Sequence, residues 1–179
     1  EERVIHELQE ILFGSARKII TIGRFSDEQG HDMLMEAFEK YQREHPDSYL
    51  IIIGGYGPLY EKTRDMAASL PCKDHIVIIK AVSNPMPILK QCDVFVLSSR
   101  YEALGLVLLE ADTLGIPVIS TDIPGPRGFL TEHGGFMVPM SADGLYEGLK
   151  AFDEGKVKPM NVDYEAYNRK AVAEFESLF

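Results

Sequence analysis

The stretch Arg100-Tyr101-Glu102-Ala103-Leu104-Gly105-Leu106-Val107-Leu108-Leu109-Glu110 sets two carboxylates eight positions apart, around a glycine placed where a loop becomes a helix. A helix that starts near Gly105 aims its first unpaired N–H groups outward and offers them to an anion such as a phosphate. Glu102 stands in the loop before that helix and Glu110 on its second turn. The spacing therefore brings two hydrogen-bond acceptors to one mouth instead of stacking them along a helix face. One acid could hold a sugar and the other a ribose. The plain alternative is a pair of solvated helix-end acids, Glu102 being favourable near a helix N-terminus on electrostatic grounds alone.

Three further loops carry unusual residues, each after a short apolar run: Gly23-Arg24, Gly54-Gly55-Tyr56-Gly57-Pro58 and Lys80-Ala81-Val82. Taken singly, a Gly-Arg pair is a turn with a solvated arginine, and glycines after a strand make tight turns. Arg24 gains weight from its place among the other loops. His31 reads as a surface histidine at a helix start. His6, His45, His75 and His133 are scattered without i, i+4 partners, and Cys72 and Cys92 stand too far apart for a C-x-x-C. No metal site and no disulfide is expected, and the thiols read as small buried groups.

The elements that must position these loops show as an alternation. Residues 18–23, 49–54, 75–79, 93–97, 117–121 and 135–138 are strand-length runs. Met33, Leu34, Ala37, Phe38 and Tyr41 after Gly30, and Leu106, Leu109, Ala111 and Leu114 before Gly115, repeat at helical spacing. Strands apolar at nearly every position are covered on both faces. That predicts an α/β fold, a doubly wound parallel sheet of Rossmann-like type, with ligands above the carboxyl ends of its strands. The chain divides into a linker or leading helix over 1–14, a ligand-binding domain over 15–160 and a C-terminal helical segment over 161–179. That last segment is amphipathic through Tyr164, Tyr167, Val172 and Phe175.

Composition excludes some functions. Acidic residues outnumber basic ones, 28 to 18, the formal net charge is -10, and no Lys/Arg run marks a phosphate-backbone stripe, so nucleic acid is not an expected partner. The longest apolar runs fall well short of the ~20 residues of a membrane span, and there is no signal-peptide pattern. A cytoplasmic protein without a transmembrane segment is expected. Peripheral docking of a full-length protein on a membrane stays open.

Taken together, Ile22-Gly23-Arg24-Phe25, Gln29-Gly30-His31-Asp32, Ile53-Gly54-Gly55-Tyr56-Gly57-Pro58, Asp93-Val94-Phe95-Val96-Leu97-Ser98-Ser99-Arg100-Tyr101-Glu102 and Gly115-Ile116-Pro117-Val118-Ile119 resemble, in order and spacing, the C-terminal domain of the group 1 glycosyltransferases with GT-B architecture. The resemblance covers about residues 15–140, and the E-x7-E segment is its most specific part. It implies the donor-binding half of a retaining glycosyltransferase that uses no metal cofactor, acts in polysaccharide or glycoconjugate biosynthesis, and takes a nucleoside-diphosphate sugar, UDP-linked by family frequency. The acceptor would be held by a separate N-terminal half, so this chain alone should bind nucleotide but turn over little.

By the same resemblance, Arg24 would bind the diphosphate and Glu102 would stand beside the donor sugar, the two catalytic candidates. Amides from Ala103, Leu104, Gly105 and Leu106 would add a helix N-terminus, and Glu110 would accept from the ribose hydroxyls. Gly23, Gln29, Gly54, Gly55, Gly57, Lys80 and Ala81 would complete the donor site. Two departures stand out. Gln29 occupies the family's usual lysine position, so Gln29 is expected to touch phosphate, with Lys80, Arg100 or Arg127 as candidates for the missing charge. Ala103-Leu104 replaces the usual Gly-Phe beneath the sugar. A non-catalytic nucleotide-sugar-binding or assembly module, favoured by Gln29, and a nucleotide-sugar epimerase relative remain as rivals. No G-x-G-x-x-G follows the first strand, which disfavours an NAD enzyme.

Overall fold

In the computed structural model, which describes residues 2–176, six strands form one parallel sheet. They are β1 (Arg17–Ile22), β2 (Ser48–Ile53), β3 (Ile76–Ile79), β4 (Val94–Leu97), β5 (Val118–Thr121) and β6 (Phe136–Val138), in the order β3-β2-β1-β4-β5-β6. The helices are α1 (Glu2–Phe13), α2 (His31–Glu44), α3 (Tyr60–Ser69), α4 (Met86–Leu89), α5 (Leu106–Thr113), α6 (Pro124–His133), α7 (Ala142–Asp153) and α8 (Tyr164–Glu176). The fold is thus the Rossmann-like doubly wound sheet that the apolar strands predict.

Two cores explain why those strands are apolar throughout. Successive side chains of a strand point to opposite faces. Ile19, Leu50, Ile52, Val94 and Val96 join one core with Leu34 and Phe38 of α2 and Leu145 and Leu149 of α7. Ile20, Ile51, Ile53, Phe95 and Leu97 join the other with Leu108 and Ala111 of α5 and Phe129 and Leu130 of α6. Each such side chain, buried fully, contributes about 1.5–3 kcal/mol of transfer free energy. Cys72 belongs to the first core and Cys92 to the second, both as free thiols.

Leading and trailing segments pack on the second core through Leu12, Met160, Val162, Tyr164 and Tyr167. Asp112, buried on α5, accepts hydrogen bonds from the Asn161 amide at 2.9 Å, the Val162 amide at 3.0 Å and the Tyr164 hydroxyl at 2.8 Å. A carboxylate with three donors is well compensated for its burial. It fastens the start of α8 to the helix that begins at the E-x7-E segment. Phe175's side chain and residues 177–179 of the predicted C-terminal segment lie outside the described residues, as does residue 1. No helix among the described residues is long and apolar enough to cross a membrane.

The strand order reverses between β1 and β4. β1 pairs with β2 along its whole length, Arg17↔Ser48 through Ile22↔Ile53, but with β4 only at Ile19↔Val94 and Ile20↔Phe95. Beyond that point the two strands feed loops that leave in opposite directions, which opens a crevice above their carboxyl ends, the place where open α/β sheets bind ligands.

Candidate functional site

The crevice is a cleft of about 760 Å³ lined by Ile22, Gly23, Arg24, Glu28 and Gln29 from the β1 side and by Leu97, Tyr101, Glu102, Ala103, Gly105, Leu106 and Val107 from the β4 side. That volume lies within the ~300–1,000 Å³ usual for small-molecule sites. Arg24 and the start of α5, far apart in sequence, therefore face one cavity.

Local chemistry fixes both walls. On the β1 side the chain makes a 3-10 turn, Asp27–Gln29, and then Gly30, with φ of 62°, caps it and starts α2. A Cβ on Gly30 would fall 2.1 Å from the Ser98 carbonyl oxygen, so only glycine allows the two loops to approach this closely. Ser98 Oγ donates to the Gln29 carbonyl at 2.8 Å, and the Arg100 amide donates to the Glu28 carbonyl at 2.7 Å. On the β4 side Gly105, with φ of 76°, turns the chain into α5. The Leu108 amide turns back to the Gly105 carbonyl at 2.8 Å. The amides at the first two positions of α5, Leu106 and Val107, precede any i−4 carbonyl of their helix, and both residues line the cleft, so a helix start of the anion-binding kind borders it.

The acids and cations divide unevenly. Glu102 is half-buried; its Oε1 accepts from the Ala103 amide at 3.0 Å and its Oε2 from Gln29 Nε2 at 3.3 Å. The Ala103 amide, expected at the diphosphate, is thus already engaged. Glu110 lies a turn further along α5, exposed and beyond the cleft lining. Leu104 does not line the cleft either; it packs into the second core.

The three cations expected to make up for Gln29 are occupied elsewhere. Arg100 holds Asp32 in a two-pronged pair at 2.9 and 2.6 Å and donates to the Asp27 carbonyl at 2.8 Å. Hydrogen bonding to Asp32 raises the Arg100 pKa. Burial alone would raise that of Asp32, but the Arg100 hydrogen bonds and charge outweigh it and hold the carboxyl below its ordinary range. Arg127 donates to Asp122 at 2.6 Å, and Lys80 lies 4.9 Å from the Tyr60 ring centre. Among the described residues, Arg24 is the cation that lines the cleft.

Two other expectations change. Gly54 and Gly57 serve packing: a Cβ on Gly54 would fall 1.9 Å from the Phe25 ring, and one on Gly57 would fall 2.2 Å from the Phe25 carbonyl oxygen. Neither they nor Gly55, Lys80 and Ala81 line the cleft. His31 is not a surface histidine; it is 4% exposed, edge-on to Phe25 at 5.6 Å, and neither ring nitrogen has a hydrogen-bond partner among the described residues. Burial pushes its pKa down to about 4, against a smaller upward pull from Asp32.

Sequence reasoning also misses Gly125 and Asp112. A Cβ on Gly125 would fall 1.8 Å from the Glu102 carbonyl oxygen, so the start of α6 presses on the Glu102–Ala103 peptide. A glycine between two prolines, Pro124 and Pro126, is the signal that could have found it. Among the described residues no group of three or more His, Cys, Asp or Glu side chains converges to hold a metal ion.

Known proteins share sequence and fold with this chain. A GDP-mannose-dependent phosphatidylinositol monomannoside mannosyltransferase of Mycolicibacterium smegmatis is 32% identical over 116 residues, 60% of this chain and 30% of that protein. The chain spans about a third of the length of the curated relatives it matches. Two solved structures share its fold. Anabaena HepE in complex with UDP-glucose has a TM-score of 0.76 at 20% identity, over 99% of this chain and 53% of that one. The C-terminal domain of the group 1 family glycosyl transferase LpcC from Francisella tularensis has a TM-score of 0.72 at 20% identity, over 93% and 91%. The family model of the glycosyl transferases group 1 matches residues 7–170, a span that takes in the whole sheet and both walls of the cleft, and the chain belongs to that family.

Proposed function

We propose that this chain is the donor-binding half of a retaining, metal-independent glycosyltransferase that moves a sugar from a nucleoside diphosphate to an acceptor held mainly by a further domain. One observation carries the reading: Arg24, Glu102 and the first amides of α5 line a single cleft at the strand-order reversal. The Arg24 guanidinium and the Leu106 and Val107 amides would take the pyrophosphate. As the bond between the anomeric carbon and the phosphate oxygen breaks, negative charge grows on that oxygen, and donors fixed in advance favour its departure. Glu102, beside the sugar, favours the positive charge building on the ring, and Glu110, exposed one turn further along α5 and outside the cleft lining, is assigned to the hydroxyls of a ribose that extends past the cleft rim. The acceptor oxygen then bonds to the anomeric carbon from the face the leaving group vacates, and its proton passes to the departing phosphate.

A UDP donor is the first choice, in keeping with the UDP-glucose complex of HepE. A GDP donor is the alternative, in keeping with the name of the mycobacterial relative. Calorimetry of the chain with UDP and GDP tests the reading. Arg24→Ala should weaken binding about 10- to 100-fold, the ~1.5–3 kcal/mol of a hydrogen bond to a charged group. Unchanged affinity would refute it.

A second reading, a non-catalytic module, draws on the pairing of Arg100, Arg127 and Lys80 away from the cleft, which leaves Gln29 uncompensated. Such a module would show no thermal shift with UDP, GDP, ADP or CDP at millimolar concentration.

A further inference from the structure

Gln29 lines the cleft from the β1 side, and its side chain reaches Glu102 on the β4 side. Its carbonyl accepts from Ser98, which anchors the residue to the β4 loop. Its side chain crosses the floor at Gly23, where a Cβ would fall 2.0 Å from Gln29 Oε1; any residue but glycine at 23 would displace it. Nε2 then meets Glu102 Oε2 at 3.3 Å, while Glu102 Oε1 is held by the Ala103 amide. The amide orientation follows from chemistry, because a carboxylate can only accept and so faces the NH₂ end. Gly125 packs closely against the Glu102 carbonyl, on the main chain that carries the carboxylate.

From this geometry we infer that Gln29 is a positioning residue, its side-chain amide holding the Glu102 carboxylate in the donor-sugar part of the cleft rather than gripping the pyrophosphate. The inference rests on the donor-site reading above. A neutral donor suits this role, because it fixes one carboxylate oxygen without neutralising the charge that the sugar would meet. The consequence is a division of labour, in which Arg24 and the α5 amides bind the nucleoside diphosphate while Gln29 governs how much the attached sugar adds.

Calorimetry of the full 179-residue chain with two ligand pairs, UDP with UDP-glucose and GDP with GDP-mannose, separates the contributions. Gln29→Ala should leave the affinity for the bare nucleotide within about twofold and weaken binding of the corresponding nucleotide sugar about fivefold or more, the scale of one hydrogen bond. Gln29→Glu, which sets two carboxylates face to face, should enlarge the loss on the sugar arm. A role in folding alone would lower the unfolding midpoint and weaken both arms together. Equal losses for UDP and UDP-glucose, or no loss for either, would overturn the inference while leaving the donor site standing. Failure of the unsubstituted chain to bind any of the four ligands would overturn the donor site, and the inference with it.

Discussion

Two glycine-rich loops leave neighbouring strands of the same sheet and serve different ends. After β2, Gly54 and Gly57 let the chain press against Phe25, whose ring is wholly buried between His31 and Tyr60. After β1, Gly23 leaves its space to the Gln29 side chain, and Arg24 next to it stays exposed over the cleft. Glycine after a strand signals a close approach in both cases. What approaches is decided by strand order: the β1 loop borders the reversal and faces a ligand-sized cavity, whereas the β2 loop lies one strand away and closes on the protein's own aromatic ring.

The contrast predicts opposite consequences for mutation. Phe25→Ala empties the space that Gly54 and Gly57 enclose and should destabilise the fold by about 3–5 kcal/mol, measured by chemical denaturation. A smaller loss would mean that the β2 loop packs less tightly than the distances imply.

Next in size is the pH dependence carried by His31. Its pKa is about 4 in the folded chain against an ordinary 6.5, so the unfolded chain takes up the proton first as pH falls. The neutral ring's contribution is complete above pH 6.5 and is lost on descending toward 4. Relative to His31→Leu, the native chain should lose about 2–3 kcal/mol of stability between pH 7 and pH 4.5, and parallel pH profiles for the two proteins would contradict the burial.

Arg24→Ala should show the reverse pattern, a stability within about 0.5 kcal/mol of the native chain with nucleotide affinity lowered about 10- to 100-fold, since an exposed side chain over the cleft contributes to binding and not to folding. Smallest is the difference between the two paired arginines. Arg100→Met removes the two-pronged pair that joins the walls of the cleft and should cost about 1 kcal/mol, while Arg127→Met, which breaks a single surface pair, should cost under about 0.5 kcal/mol in the same denaturation assay.

The sheet, the six strands and the loops at the reversal are legible in the sequence, because apolar runs and helical spacing are local signals. Arg24, Glu102 and Gly105 can be brought to one mouth from the strand alternation and the family resemblance. The partners of the polar side chains cannot. Arg100 looks as free as Arg24, and only the approach of α2 to the β4 loop commits it to Asp32. His31 follows a glycine that looks like an exposed helix start, yet it is buried with the Phe25 ring packed edge-on against it. Asp112 carries no signal in the sequence, because its donors come from the returning segment at Asn161 and Val162. Each of these depends on which elements become neighbours, information that resides in strand order and not in the local pattern.

Backbone amide NMR of the chain during titration with UDP tests the central claim most directly. Shifts concentrated on Gly23, Arg24, Leu106 and Val107, with Gly54 and Gly57 unmoved, are the expected result. Perturbation centred on the β2 loop, or none at residues 106 and 107, would contradict a pyrophosphate site between Arg24 and the start of α5.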